Sequence, residues 1–107
     1  YLGRLVDAIA GRGTRAQEDW LVIVTSDHGG VGTSHGGITA EHRAIPLIIA
    51  GDGVEAGEFS GAADVPGELD VGFVSHLDVH PTAMQYLGIE PQADWDLDGV
   101  VRGLTTP

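Results

Sequence analysis

Cysteine and lysine are both absent from this 107-residue sequence. The lack of cysteine excludes disulfides and thiolate metal sites, and it leaves the redox compartment of the protein undetermined. Because lysine is absent, the 5 basic residues are all arginine, and they face 16 acidic residues, for a formal net charge of −11. We therefore expect no nucleic-acid patch, since so few cations cannot neutralise a run of phosphates.

Long apolar runs are also missing. None approaches the ~20 residues that span a bilayer, so no membrane segment is predicted. The sequence opens at Tyr1, without an initiator methionine or a basic and apolar leader. Its length allows one small domain at most. These features predict a piece of a longer protein.

The central feature that is present is an apolar run at 21–24, which stops at a glycine-rich loop. An unbroken run of large, mostly β-branched residues is typical of strands in parallel sheets, which are buried on both faces. Open α/β sheets place their chemistry at the carboxyl ends of such strands. The loop carries Asp27, His28 and His35, and we predict that it is the functional site.

Segments before and after this strand predict the elements around it. Near the start of the chain, helical spacing relates four apolar residues, Leu2, Leu5, Val6 and Ile9. This spacing predicts an amphipathic helix over 1–12. Residues 39–43 are predicted to be irregular or a short helical turn. A second strand is predicted within 44–50, with Pro46 at its start or on an edge, because proline cannot donate to a ladder.

The second half of the chain predicts one helix between two irregular stretches. Residues 54–70 are rich in small and acidic residues and are expected to form an exposed loop. Asp78 is a plausible N-cap, with Pro81 in the first turn and Gly88 as the stop signal. The core-facing residues of this helix are expected to be Ala83, Met84, Tyr86 and Leu87. In the C-terminal tail, a turn at 94–99 is expected to pack Trp95 against the domain.

Asp27 and His28 form a suitable ligand pair for zinc or manganese, because a carboxylate and a neutral imidazole both bind these ions. They are adjacent, so a turn must make them converge, and His35 must fold back to join them. We expect Gly29, Gly30 and Gly32 to permit this through positive φ and close backbone approach. Two alternatives stay open: a hydrogen-bonding surface role for each histidine, and an anion held by backbone N–H groups alone.

The other polar residues near the loop carry weaker signals. The three remaining histidines, His42, His76 and His80, have no ligand-like neighbours and are expected to be ordinary surface or capping residues. Arg43 could bind an anionic oxygen, although a solvated charge is the simpler interpretation. No loop hydroxyl has the histidine and carboxylate partners that would make it a nucleophile by sequence; these hydroxyls are Thr25, Ser26, Thr33 and Ser34.

Four blocks together resemble the C-terminal part of the alkaline phosphatase superfamily. They are Thr-Ser-Asp-His-Gly at 25–29, Ser-His-Gly-Gly at 34–37, Arg-Ala-Ile-Pro-Leu-Ile-Ile-Ala-Gly at 43–51, and Asp-Val-His-Pro-Thr at 78–82, the last followed by Tyr-Leu-Gly-Ile at 86–89. This superfamily includes type I phosphodiesterases and nucleotide pyrophosphatases, sulfatases, phosphoethanolamine transferases and cofactor-independent phosphoglycerate mutase. The blocks occur in the family's order and span most of the chain.

The resemblance implies an α/β fold with a mostly parallel sheet flanked by helices. It implies that residues 1–107 are the C-terminal portion of a single catalytic domain, whose nucleophile-bearing N-terminal portion is absent. It also implies two divalent metal ions, expected to be zinc, with manganese or calcium as alternatives. Asp27 and His28 match the family's metal-binding pair, and His35 is the best match for a further histidine ligand.

The implied activity is metal-dependent hydrolysis of a phosphate monoester or diester, by an upstream threonine or serine nucleophile and a covalent intermediate. The chain alone is expected to be inactive. The partner is expected to be a small phosphate or sulfate ester. Asp27-His28 and the lack of lysine favour phosphate, since sulfatases usually show Asp-Asn there and use lysines near the sulfate. A sulfatase, a phosphotransferase or phosphomutase, and a non-catalytic metal-binding module stay open, and family analogy favours an exported or periplasmic protein.

Overall fold

A computed structural model of the chain describes residues 1–59 and 74–105. Its longer elements are three helices, α1 (Leu2–Ala10), α2 (Ala40–Arg43) and α3 (Val79–Tyr86), and two strands, β1 (Leu21–Thr25) and β2 (Leu47–Gly51). Short 3-10 turns lie at Arg15–Gln17, His76–Asp78 and Ala93–Trp95. The described residues contain both helices and strands, as expected of an α/β protein, but their two strands are antiparallel and do not show the predicted mostly parallel sheet. The predicted loop at 54–70 lies outside the described residues beyond residue 59.

The predicted first helix is confirmed as α1, which ends at Gly11 within a turn. Its apolar stripe, however, is not covered by the described part of the chain. Leu5 is 65% exposed, and Leu2 and Val6 are also exposed. Ile9 is partly buried, so the described residues cover the apolar face of this amphipathic helix only in part.

Strands β1 and β2 form a two-stranded antiparallel sheet, in which Ile23 is paired with Ile49. Pro46 directly precedes β2, which agrees with its predicted place at the start of the strand. The expected burial of β1 on both faces is wrong for this chain, because residues 21–24 are only partly buried. In the described two-stranded sheet each strand has a neighbouring strand on one side only, and too few other residues lie nearby to cover both faces.

Trp20, before β1, and Asp52, after β2, are in close contact at one end of the sheet. The Asp52 backbone N–H donates to the Trp20 carbonyl (3.0 Å), and the Trp20 N–H donates to the Asp52 carboxylate (2.9 Å). Gly51 lies between them with φ +141°, and a Cβ there would lie 1.9 Å from the Trp20 carbonyl oxygen. Only glycine fits this close approach.

Helix α3 begins after Asp78 and ends before Gly88, which has the positive φ (+75°) of a helix stop. Asp78 lies at the N-cap position of α3, as predicted, but its side chain makes no capping hydrogen bond to this helix. Its buried carboxylate instead accepts from Ser75 N (3.1 Å), Val100 N (2.8 Å) and Arg102 Nε (2.9 Å). The carboxylate therefore ties the C-terminal tail to the turn before α3.

Two apolar residues of this region are more exposed than predicted. Leu87 is 71% exposed, so it is not part of the core-facing stripe, whereas residues 83–86 are partly buried. Trp95 is 42% exposed rather than packed. Thr82 is instead the fully buried side chain of α3. None of the helices within 1–59 and 74–105 has the length and apolar character of a membrane span.

Candidate metal centre

The loop after β1 brings the adjacent side chains of Asp27 and His28 together, as predicted. Asp27 Oδ1 accepts the His28 backbone N–H at 3.0 Å, and Asp27 Oδ2 lies 3.5 Å from His28 Nε2. The Asp27 side chain is 87% exposed and that of His28 is 44% exposed. Both donor atoms are thus close to each other and open to a ligand.

The His28 ring has a defined proton arrangement. Its Nδ1 lies 2.7 Å from the Gly29 carbonyl oxygen, which can only accept, so Nδ1 carries the proton. In the neutral form of this ring the lone pair is on Nε2, which lies 3.5 Å from Asp27 Oδ2. Metal-binding histidines typically donate their second ring N–H to a carbonyl or carboxylate in this way, which fixes the tautomer and the ring orientation.

A tight turn folds His35 back onto His28. Val31 and Ser34 exchange two backbone hydrogen bonds of 2.9 Å, and Gly32 between them has φ +57°. The His28 and His35 rings are consequently stacked, with centroids 5.2 Å apart and planes 11° apart. The structure therefore places His28 next to both Asp27 and His35.

Gly29 and Gly30 act by close approach rather than by positive φ, which corrects part of the prediction. Neither has a positive φ, whereas Gly32 does. Gly29 N donates to His42 O (2.8 Å), and Gly30 N donates to Glu41 O (3.0 Å). A Cβ on Gly29 would lie 2.0 Å from the Glu41 carbonyl oxygen. The last carbonyls of α2 thus receive the N–H groups that follow the Asp27–His28 pair.

His76 also contacts the loop, although its sequence context gave no reason to expect it. Its Nε2 donates to the Ser26 carbonyl at 2.5 Å, across 50 residues of sequence. This bond connects the turn before α3 to the residue preceding Asp27. His80 is exposed on α3, as expected for a surface residue. Sequence reasoning missed His76 because the contact depends entirely on tertiary folding.

The loop hydroxyls offer no activated nucleophile at the positions where their bonds are defined. Thr25 Oγ1 donates to the Ser26 carbonyl (3.4 Å), and Ser26 Oγ donates to the His28 carbonyl (3.1 Å). Backbone carbonyls cannot remove a proton from these groups, so the bonds are structural. Arg43, at the end of α2, is exposed to solvent.

The distance between Asp27 Oδ2 and His28 Nε2 is within the range found between two ligands of one divalent metal ion. Two ligand atoms about 2.0–2.2 Å from a tetrahedral zinc lie roughly 3.3–3.6 Å apart, so the 3.5 Å between Asp27 Oδ2 and His28 Nε2 fits one ion. Within 1–59 and 74–105, no group of three or more histidine, cysteine, aspartate or glutamate side chains is arranged to hold a metal. Among the described residues, Asp27 and His28 thus present one pair of donor atoms at a spacing that a divalent ion could span.

Comparison with known proteins identifies the family. The family Sulfatase matches residues 1–89 of the chain. This chain belongs to the sulfatase family. A curated relative, the multifunctional alkaline phosphatase superfamily protein PehA of Trinickia caryophylli, is 38% identical over 78 residues. That match covers 68% of this chain and 14% of the relative, so the chain spans a small part of the relative's length.

These matches confirm that the chain is a member of the alkaline phosphatase superfamily, as its four sequence blocks indicated. The family match implies an alkaline-phosphatase-like α/β fold, while the described strand pair is antiparallel. No solved structure matches the chain.

Proposed function

We propose that residues 1–107 are the C-terminal, metal-binding portion of a phosphate-ester hydrolase. Membership of the sulfatase family supports a hydrolase in general. The observation that carries the proposal is the pairing of Asp27 Oδ2 with His28 Nε2 at 3.5 Å, with the His28 Nδ1 proton held by Gly29. A mostly parallel sheet, completed by residues outside this chain, is part of the same proposal.

Asp27, His28 and His35 are the proposed ligands of two divalent metal ions, with zinc favoured over manganese and calcium because two of the three donors are imidazoles. When bound, such ions activate a hydroxyl nucleophile and stabilise the charge that develops on a phosphoryl oxygen. The exposed Asp27 carboxylate and the oriented His28 ring supply the binding groups from this chain. The nucleophile itself is proposed to lie upstream.

Hydrolysis of a phosphate ester is favoured over that of a sulfate ester by two properties of the chain. The residue after Asp27 is His28, where sulfatases usually have asparagine, and the chain has no lysine to contact a sulfate. The family match to Sulfatase makes a sulfate ester the second candidate substrate. Export to the periplasm or beyond stays a prediction from family analogy alone.

The test of this proposal is a metal-dependence assay on the full-length protein that contains this chain. The protein is stripped with EDTA, reloaded with Zn²⁺, Mn²⁺ or Ca²⁺, and assayed on p-nitrophenyl phosphate, bis-p-nitrophenyl phosphate and p-nitrophenyl sulfate. We expect phosphate-ester turnover that is lost with EDTA and restored by metal. A preference for the sulfate ester would move the assignment to a sulfatase. Metal binding without turnover on any ester would favour a non-catalytic module.

His35→Ala is expected to lower turnover by orders of magnitude, because it removes a proposed ligand. His80→Ala is the matched control, since His80 is exposed on α3 and outside the loop. Both variants are assayed at saturating metal. Turnover of His35→Ala close to that of the unmodified protein would refute the assignment of His35.

A further inference from the structure

The ligand loop comprises residues 26–37, and helix α2 contacts it in two places. Near the start of the loop, the carbonyl oxygens of Glu41 and His42 accept the N–H groups of Gly30 and Gly29, directly after the Asp27–His28 pair. At the end of the loop, the His42 ring lies against Gly37, two residues after His35. One short helix therefore contacts both parts of the proposed metal site.

The contact between His42 and Gly37 is too close for any side chain at residue 37. A Cβ on Gly37 would lie 2.5 Å from Cε1, 2.6 Å from Nδ1 and 2.8 Å from Nε2 of the His42 ring. Neighbouring Gly36 has open space, with nothing within 4 Å of a Cβ there. Neither glycine has a positive φ, so substitutions at residues 36 and 37 differ only in the atoms that an added Cβ would meet.

The His42 ring is itself held in place by side chains of α2 and its N-cap. Thr39 Oγ1 and His42 Nδ1 lie 2.8 Å apart. The Thr39 hydroxyl also hydrogen-bonds the Glu41 carboxylate, and this bond is the main reason that the pKa of Glu41 lies below its usual value.

His42 Nε2 is buried and has no hydrogen-bond partner among the described residues. Leaving a buried polar atom without a partner costs stability. The same Nε2 lies 2.8 Å from the position that a Cβ on Gly37 would occupy, so the His42 ring packs against the backbone two residues after His35.

We propose that His42 is a positioning residue for His35: by packing on Gly37 while its backbone carbonyl holds Gly29, it fixes His35 relative to the Asp27–His28 pair. This inference rests on the proposed function, because it assumes that these three residues hold metal. His42 itself is outside the ligand set.

The experiment measures Zn²⁺ affinity in the full-length, metal-stripped protein by competition with a chromophoric chelator. Gly37→Ala and His42→Ala are each expected to weaken the affinity of the metal held by His35 about 10- to 100-fold, the usual effect of removing an orienting group around a ligand. Gly36→Ala, the matched control, is expected to stay within about twofold. The visible spectrum of the Co²⁺ form should change in the first two variants only, since it reports coordination geometry.

The double variant Gly37→Ala/His42→Ala distinguishes a role of His42 in positioning His35 from a general disruption of the fold. If both changes act through one contact, the double variant binds Zn²⁺ no more weakly than the worse single variant, because the alanine methyl then occupies space vacated by the ring. Amide hydrogen exchange of Gly29 and Gly30, whose N–H groups donate to the carbonyls of His42 and Glu41, gives a second reading in the metal-free protein. Exchange there should be faster in both single variants than in the Gly36→Ala control.

The outcomes distinguish this inference from the proposed function. Unchanged Zn²⁺ affinity and Co²⁺ spectrum in both His42→Ala and Gly37→Ala, with His35→Ala still weakening binding, would overturn the role of His42 alone. Unchanged binding in His35→Ala would overturn the ligand assignment and the role of His42 with it. Losses in the double variant equal to the sum of the two single losses would also reject the shared contact.

Discussion

Thr82 shows how a single side chain fixes the C-terminal tail. It is fully buried, and its Oγ1 accepts the Arg102 backbone N–H at 2.9 Å. The Asp78 carboxylate, one helical turn earlier, binds Val100 N and Arg102 Nε. In the Asp-x-x-Pro-Thr block, the aspartate and the threonine therefore bind the same tail segment. This block, which resembles the family's sequence, thus has the structural role of attaching the C-terminal tail to α3.

Thr82→Val is expected to destabilise the protein by about 1–3 kcal/mol, because the isosteric methyl removes the acceptor of a partly buried N–H. Thr82→Ser keeps the hydroxyl and is the matched control, with an expected cost of about 1 kcal/mol for the lost methyl. Urea denaturation monitored by circular dichroism gives the two free energies of unfolding. A valine variant as stable as the unmodified protein would show that the hydroxyl contributes nothing.

At the scale of elements, carboxylates connect the first helix region to the strand pair. The Asp52 carboxylate accepts from Trp20 N and from Arg15 (2.8 Å), and these contacts, the Trp20 bond first, hold the pKa of Asp52 below its usual value. Hydrogen bonds from Arg12, and then from Thr14 and Trp20, lower the pKa of Glu18 strongly. The 12–20 segment is thus attached to the sheet through ionised groups.

These shifts predict a fall in stability at acid pH. A carboxylate whose pKa is lower in the folded state stabilises the fold above its unfolded pKa, about 3.9 for aspartate and 4.3 for glutamate, and loses that contribution as the pH falls through the folded value. The melting temperature should therefore drop below about pH 4. Asp52→Asn should lower it at pH 7 and make the acid drop smaller.

Asp7→Asn, which changes an exposed carboxylate on α1, is the matched control for this pH series. Its melting temperature is expected to follow that of the unmodified protein at each pH. An identical acid profile for Asp52→Asn and the unmodified protein would show that the Asp52 contacts do not contribute to the pH dependence.

At the scale of the whole molecule, the described residues contain no fully buried apolar side chain. Leu2, Leu5 and Val6 on α1 are exposed, and so is Ile48 in β2 at 51%. Burial of apolar surface is the main source of folding free energy, so what is described of this chain has little of it. This is consistent with the proposal that the chain is one portion of a larger domain, in which other residues cover these faces.

The isolated 107-residue chain is accordingly expected to bind the dye ANS and to unfold with low cooperativity, whereas the full-length protein should do neither. Dye fluorescence and a urea titration of the two proteins at equal molar concentration make the comparison. A sharp unfolding transition of the isolated chain without dye binding would contradict the proposal that its apolar faces need a covering partner.

The sequence by itself determined the local elements and the family. Helical spacing predicted α1, the apolar runs predicted β1 and β2, and Gly88 predicted the end of α3, because these signals depend on neighbouring residues alone. The adjacency of Asp27 and His28 likewise indicated their pairing. Their roles as metal ligands stay a prediction.

Only the tertiary structure decided which distant residues surround the ligand loop. The bond from His76 to Ser26 and the packing of His42 on Gly37 join residues whose contacts leave no periodic trace in the sequence. The antiparallel pairing of β1 and β2 could not be predicted from the sequence either, since an apolar run indicates a strand without giving its direction relative to its neighbour. Asp78 lies at the N-cap position that the sequence predicted, but only the fold brings the tail donors Val100 N and Arg102 Nε to its buried carboxylate.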